Sequence, residues 1–255
     1  MSVHERNLAE AFDQQAAKFE TAPVQSDPVA LARLVQFADL PPGCRVLDAG
    51  CGPGLVSEAF LNTGQSVFGV DLSAEMIERA RRRCARFGDR ASFEQRSLFD
   101  SAITESFDVA VSRLVLHHTP DAAQFIARLF ELLRPGGVLM LCDHTTDPKP
   151  SAAEYHQRLE RGRDRTHVQN LTAGGLADAV CAAGFEDIRL SEHRYYLDFD
   201  EWFDRGTPAE EKETVRRLLL SGPSIRGFRA TKLDGNAVRI EGWLVTVRAT
   251  KPQAE

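Results

Sequence analysis

Nine residues constrain this chain more than any others: Val46-Leu47-Asp48-Ala49-Gly50-Cys51-Gly52-Pro53-Gly54. A short apolar run with strand character passes into a turn with glycine at every second position, and the turn opens a helical pattern over residues 55–63. Glycines at 50, 52 and 54 allow positive φ and leave space where a Cβ would block a ligand approaching the backbone. A dinucleotide turn of the form GxGxxG needs glycine at 55, where Leu55 stands, so the turn suits a nucleoside with an amino-acid tail better than a pyrophosphate. One such turn says little alone. Here it is followed by a second strand, 67–70, that ends on Asp71 and is succeeded by Leu72 and Ser73. An acid at that carboxyl edge can accept hydrogen bonds from both hydroxyls of a ribose. The competing role, helix N-cap, suits Ser73 better and leaves Asp71 free.

The rest of the chain continues the alternation. Strands are expected at 45–49, 67–70, 91–95, 107–112 and 138–142, with helices at 55–63, 74–87 and 122–133 between them. Such an order implies right-handed βαβ units and a parallel sheet covered on both faces. A helix over 171–183, closed by Gly184 as a left-handed C-cap, precedes a strand at 185–197, a helical stretch at 199–220 and a last strand at 237–249. Two late strands joined this way form an antiparallel edge. Leu8, Phe12, Ala16 and Phe19 recur at one helical turn, so residues 1–40 read as a helical lid ahead of Pro41-Pro42-Gly43. The main domain then spans 41–255, with insertions at 145–170 and 199–236. The first of these is polar, lacks a clean apolar stripe and reads as a cover over a site.

Composition narrows the classes. At 255 residues, 43% hydrophobic and 27% charged, the chain has enough apolar material for one large α/β domain and no run of the eighteen or so apolar residues that a membrane span needs. The start, Met1-Ser2-Val3-His4-Glu5-Arg6, lacks the basic-then-apolar pattern of a secretory signal, which points to the cytoplasm. A formal charge of -6 argues against general attraction to nucleic acid or an anionic membrane. Cys44, Cys51, Cys84, Cys142 and Cys181 show no CxxC spacing, so buried free thiols are expected rather than disulfides or a zinc site. Arg79, Arg81, Arg82, Arg83 and Arg86 fall in one helical stretch and read as a solvated face.

These motifs resemble the class I S-adenosylmethionine (SAM)-dependent methyltransferases, close to the UbiE and YcgJ-like group of small-molecule enzymes. The resemblance rests on VLDAGCGPG at 46–54, GVDLSAEMIERAR at 69–81, FDVAVSRLVLHHTPD at 107–121 and LLRPGGVLMLCD at 132–143, with a looser match at 167–188. It implies a seven-stranded, Rossmann-like doubly wound sheet, mostly parallel with an antiparallel edge strand, and SAM as cofactor. By the same resemblance Asp48, Gly50, Gly52 and Gly54 line the methionine moiety, Asp71 holds the ribose, Leu72 and Met76 pack near the adenine, and Ser97-Leu98 reads the adenine edge. Ser97 stands where the family often has Asp, which leaves the contact to the backbone of Leu98. Arg113 passes near the sulfonium by its backbone, with a side chain long enough to reach substrate.

Methyl transfer from a sulfonium is an in-line displacement that needs alignment and, for some acceptors, removal of a proton; no metal is expected. His117-His118 follows the fourth strand and Asp143-His144 the fifth, at adjacent strand exits where open α/β sheets bind ligands. His117 is the favoured general base with Asp143 as its orienter; the alternative is that His117 or His118 caps the helix beginning near Asp121. Arg158, Arg161, Arg163, Arg165 and His167 offer a site for a substrate carboxylate or phosphate, or else an exposed salt-bridged helix. Tyr155, Tyr195, Tyr196 and Trp202 are candidates for an acceptor pocket or for core. The expected partner is a small-molecule methyl acceptor, with oligomeric state open. A SAM-binding protein that does not methylate retains the same motifs, whereas RNA or protein methylation is disfavoured by the acidic charge.

Overall fold

Val46 and Leu47 are completely buried although they are neighbours on one strand, because β1 (Arg45–Ala49) lies at the centre of a sheet covered on both faces. In the computed structural model, which describes residues 1–104 and 106–253, Val46 belongs to one apolar cluster and Leu47 to another. The first cluster lies under α3 (Pro28–Ala38), α4 (Leu55–Asn62) and α5 (Ala74–Cys84), the second under α6 (Ala122–Leu132) and α8 (Ala173–Ala182). This two-residue period with both faces apolar is what a doubly wound sheet demands.

β1 pairs in parallel with β2 (Ser66–Asp71) and β4 (Phe107–Arg113). β2 pairs in parallel with β3 (Ala91–Gln95), and β4 with β5 (Leu133–His144). Beyond β5 the chain first lays down β6 (Glu186–Asp198) and then returns as β8 (Val238–Thr250), which fills the gap between β5 and β6 and runs antiparallel to both. The path is β3-β2-β1-β4-β5-β8-β6. The sheet is mostly parallel, as expected, with its antiparallel strand one place in from the edge. An eighth strand, β7 (Phe228–Lys232), pairs with residues 238–242 of β8, past the stretch 244–250 that β5 uses.

The second half departs further from the sequence reading. Residues 199–220 form two helices, α9 (Phe199–Arg205) and α10 (Lys212–Ser221), broken at Gly206-Thr207-Pro208. Proline removes a donor and disfavours helical geometry in the residue before it. The polar segment 145–170 contains α7 (Pro150–Arg163), whose buried residues include Leu159 but also His156, Gln157 and Glu160. That face is buried while polar, which is why no apolar stripe marks it. At the N-terminus α1 (Val3–Phe19) and α2 (Pro23–Ser26) precede α3.

Four cysteines are buried as expected, but Cys181 is exposed on α8. The arginine run is only partly a solvated face: Arg79 and Arg83 pair with Glu20, and Arg83 also with Glu58, so these two bind α5 to its neighbours. No described helix is long and apolar enough to cross a membrane.

Candidate active site

The glycine turn hangs from β2 by its own backbone, with Gly50 N and Cys51 N donating to Val70 O at 2.8 and 3.0 Å. Gly50, Gly52 and Gly54 all have positive φ, at 75°, 52° and 82°. Their surroundings differ. A Cβ on Gly50 would strike Val115, and one on Gly54 would sit 3.0 Å from Ala80 Cα, so Gly54 serves the approach of α5. Only Gly52 faces open space. That space is a cavity of about 470 Å³, lined on this side by Asp48, Gly50, Gly52 and Asp71 and further along by Leu72, Met76, Ser97 and Leu98.

Asp71 is fixed by two backbone donors, Gly52 N and Ser73 N, each at 2.9 Å. Each carboxylate oxygen keeps acceptor capacity toward the cavity. Asp48 accepts from Ser57 Oγ at 2.6 Å. Burial pushes the Asp48 carboxyl up to about 7, with the charge of Asp71 adding to the effect, and burial likewise raises Asp71. Two carboxyls destabilised as anions in one cavity gain from a cationic ligand with hydroxyl donors.

The opposite wall is α1, which contributes His4, Glu5, Leu8 and Phe12. Ser2 and Glu5 form a capping box at its start. Glu5 also reaches across to accept from Ser97 Oγ at 2.5 Å, and Asp13 accepts from Ser73 Oγ at 2.5 Å and Glu75 N at 3.2 Å. At the other end of the cavity His4 Nε2 lies 2.8 Å from His118 O, and the Phe12 ring meets the His118 ring edge-on at 5.0 Å. Arg113 borders the cavity, but its guanidinium donates to Val24 O and Gln25 O and thereby holds α2.

The strand exits of β4 and β5 carry a buried histidine cluster. A short 3-10 turn, Leu116–His118, follows β4, and His117 Nδ1 lies 2.6 Å from Asp143 Oδ1. Burial disfavours the imidazolium, but the Asp143 charge and hydrogen bond outweigh it and place His117 above its ordinary range. Burial alone would raise Asp143; His117 and His144 bring it down to about 2. His118 Nδ1 faces Thr166 O and Thr166 Oγ1, both at 3.1 Å. Thr166 Oγ1 donates to Asp164 at 2.6 Å, so both Thr166 atoms act as acceptors toward His118, which places the proton on Nδ1 and the lone pair on Nε2. Burial, with the neighbouring His117 charge, holds His118 down to about 3. His144 bonds the Tyr195 hydroxyl at 2.8 Å and is held neutral by burial, at about 3.

Residues 25–190 match the methyltransferase domain family. This chain belongs to that family. It is 27% identical to the methyltransferase YcgJ of Bacillus subtilis over 88% of this chain and 90% of that one. A ubiquinone biosynthesis O-methyltransferase of Xanthomonas campestris is 37% identical over 46% of this chain, which spans about half (52%) of that relative. Among solved structures, a methyltransferase of Bacillus halodurans superposes with a TM-score of 0.79 at 26% identity, covering 88% of this chain and 99% of that one. Family and fold are those of the class I methyltransferases.

Placed on this methyltransferase, the expected residues divide. Asp48, Gly50, Gly52, Asp71, Leu72, Met76, Ser97, Leu98 and Arg113 border one cavity, while Gly54 faces helix packing. Ser97 spends its side chain on Glu5 rather than on a base, and Arg113 spends its own on α2 rather than on substrate. His117 and Asp143 form the expected pair, yet His118 is the member that lines the cavity, with the two imidazole centres 4.1 Å apart. Neither histidine caps α6; Asp121 does, accepting from Gln124 N at 2.9 Å.

The proposed anion site in 145–170 is taken up internally. Arg158 pairs with Glu210, Arg161 donates to Val168 O, Arg163 to Trp202 O and Arg165 to Pro208 O, while His167 bonds Gln157. Tyr155 donates to Leu218 O, the Tyr195 hydroxyl is hydrogen-bonded to His144 Nδ1, Trp202 is core and Tyr196 is exposed. Sequence reasoning missed Glu5 and Asp13 as tethers, and Glu160 and Asp164 as buried acids of the histidine cluster. Glu5 carried a readable sign, the capping-box spacing from Ser2; the others depend on contacts distant in sequence.

Proposed function

We propose that this enzyme transfers the methyl group of SAM to O, N or C of a small-molecule metabolite held between the glycine turn and α1. The observation that carries the reading is the single cavity with Asp48, Gly52 and Asp71 on one wall and His118 with Phe12 on the other. When bound, SAM supplies an electrophilic methyl on a sulfonium. Asp71 accepts the ribose hydroxyls, Asp48 meets the positive charge of the methionine end, and Gly52 leaves the room a side chain would take. Leu8 and Phe12 give the acceptor an apolar enclosure that excludes water. His118, neutral with its lone pair on Nε2, accepts a hydrogen bond from an acceptor O–H or N–H and orients it. His117 and Asp143 stand behind it and fix the turn that carries it. α1 closes over the cavity after ligands enter, held by the Glu5–Ser97 and Asp13–Ser73 bonds; the segment 145–170 supports the histidine cluster from outside.

Calorimetric titration with SAM and S-adenosylhomocysteine tests the cofactor half. Micromolar affinity is expected, weakened in Asp71→Ala by about 1.5–3 kcal/mol through loss of charge-assisted bonds. Equal affinity in the two proteins sinks the ribose assignment. Incubation with SAM and a metabolite extract tests the rest. Formation of S-adenosylhomocysteine together with a methylated small molecule is expected, and SAM binding without turnover on any fraction points instead to a protein that does not methylate.

A further inference from the structure

β4 and β5 are parallel neighbours paired as far as Arg113↔Cys142, so the residues that follow them emerge side by side. The geometry there points to a site for one divalent transition-metal cation of the zinc, cobalt or nickel class, held by His117, Asp143 and His144. Each of the three presents a ligand atom, and these atoms lie within 4.8 Å of one another. Imidazole nitrogen with one carboxylate oxygen is the donor set that suits such ions, and three protein ligands leave a position open. The ring spacing agrees. With metal–nitrogen distances near 2.0–2.1 Å, two imidazoles on a tetrahedral ion have centres about 5 Å apart. The His117 and His144 rings are 5.2 Å apart and inclined at 64°.

Two further features separate this cluster from an incidental group of polar side chains. His117 and Asp143 are buried, at 8% and 5% exposure, in a part of the protein already rich in imidazole, with the His167 ring 5.8 Å from that of His117. The candidate ligands are also oriented from outside: Tyr195 holds His144 Nδ1 at 2.8 Å, and the backbone N–H groups of His144 and His117 bond the Asp143 oxygens at 2.7 and 3.1 Å. Outer hydrogen bonds of this kind set ring orientation in metal sites. The cation replaces the proton shared by His117 Nδ1 and Asp143 Oδ1, and the pair opens from 2.6 Å to roughly the 3.3 Å that tetrahedral ligands require. It then lies one imidazole away from the cavity, behind His118, where it fixes the turn that presents His118. This inference does not depend on the methyl-transfer reading.

The test uses the full chain, freed of metal by chelator and titrated with cobalt(II). One cation per chain is expected, with visible d–d bands of a low-coordinate ion, and zinc is expected to compete for the same site and raise Tm. Affinity should fall about a hundred-fold or more in His144→Ala and in Asp143→Asn. His193→Ala, on β6 and outside the cluster, should bind like wild type. Circular dichroism establishes that each variant is folded. If the cluster variants do not fold, the copper(II) EPR spectrum of the wild type decides, with nitrogen superhyperfine splitting from imidazole expected. Absence of d–d bands and of nitrogen splitting overturns the inference, as does cobalt binding that survives in folded His144→Ala, which places the ion elsewhere. SAM binding is measured in the same samples, so a failed metal site and a failed cofactor site are distinguishable.

Discussion

The two walls of the cavity are built on different principles. On the proposed cofactor side the contacts come from backbone amides and from side chains within a few residues of a strand end: Gly52 N and Ser73 N hold Asp71, and Ser57 holds Asp48 nine residues away. On the proposed acceptor side the partners are remote. His117 meets Asp143, His118 meets Thr166, and His4 meets the carbonyl of His118 across more than a hundred residues. A wall made of local geometry tolerates little change and serves one ligand. A wall made by convergence of distant segments can be altered one side chain at a time, which suits the part of an enzyme that selects its acceptor.

The largest expected effect comes from breaking the local wall. Gly52→Val puts a branched side chain at φ 52° into open cavity space and should remove SAM binding by about a hundred-fold or more, while circular dichroism reports an intact fold. Normal binding by the variant takes the turn out of the cofactor site. Next is removal of residues 1–20, which strips α1 from the opposite wall. The remainder should stay folded, bind SAM roughly ten-fold more weakly, and lose methyl transfer by a larger factor. A loss confined to SAM affinity, with turnover at saturating SAM unchanged, eliminates the closing role of α1.

A third expectation follows from Asp48. Its carboxyl is raised to about 7 by burial, so a cationic ligand binds the ionised form better and drives a proton off. SAM affinity should rise up to about ten-fold between pH 6 and 8, and calorimetry in buffers of different ionisation enthalpy should show proton release. Proton uptake on binding reverses the assignment. The smallest effect tests the remote wall. His118, His144 and His167 are held neutral by burial, at about 3, 3 and 2 when folded. Their folded values lie below the unfolded 6.5, so stability is present above pH 6.5 and declines as pH falls below it, partly offset by His117, whose raised value works the other way. Denaturant titrations at pH 7 and 5 should show this decline; a flat profile means the cluster admits water.

How much of this was legible follows the same division. The strands through β5, the glycine turn, Asp71 and Ser73 as N-cap could be read because their signals repeat every two or four residues or sit at a strand end. α7 could not, since it buries His156, Gln157 and Glu160, and a polar buried face has no hydropathic period. Arg113 was misread because its length suggested reach, while only the fold shows the carbonyls of Val24 and Gln25 waiting for it. His117 and His118 were correctly placed at a strand exit, but which of the two borders the cavity depends on the turn they share. β7 was invisible for another reason: its pairing surface exists only because β8 overruns the end of β5.

That overrun has a mechanical consequence. One thirteen-residue strand is bonded along one margin to β5 and β7 and along the other to β6. It therefore ties β5 to β6 and β7, and these cannot part without tearing one of its ladders. If α1 is the door, as proposed, its hinge is the stretch 20–27 that Arg113 pins through Val24 O and Gln25 O. On that reading the rate at which ligands come and go is governed by the side-chain tethers of a single helix, Glu5 to Ser97 and Asp13 to Ser73.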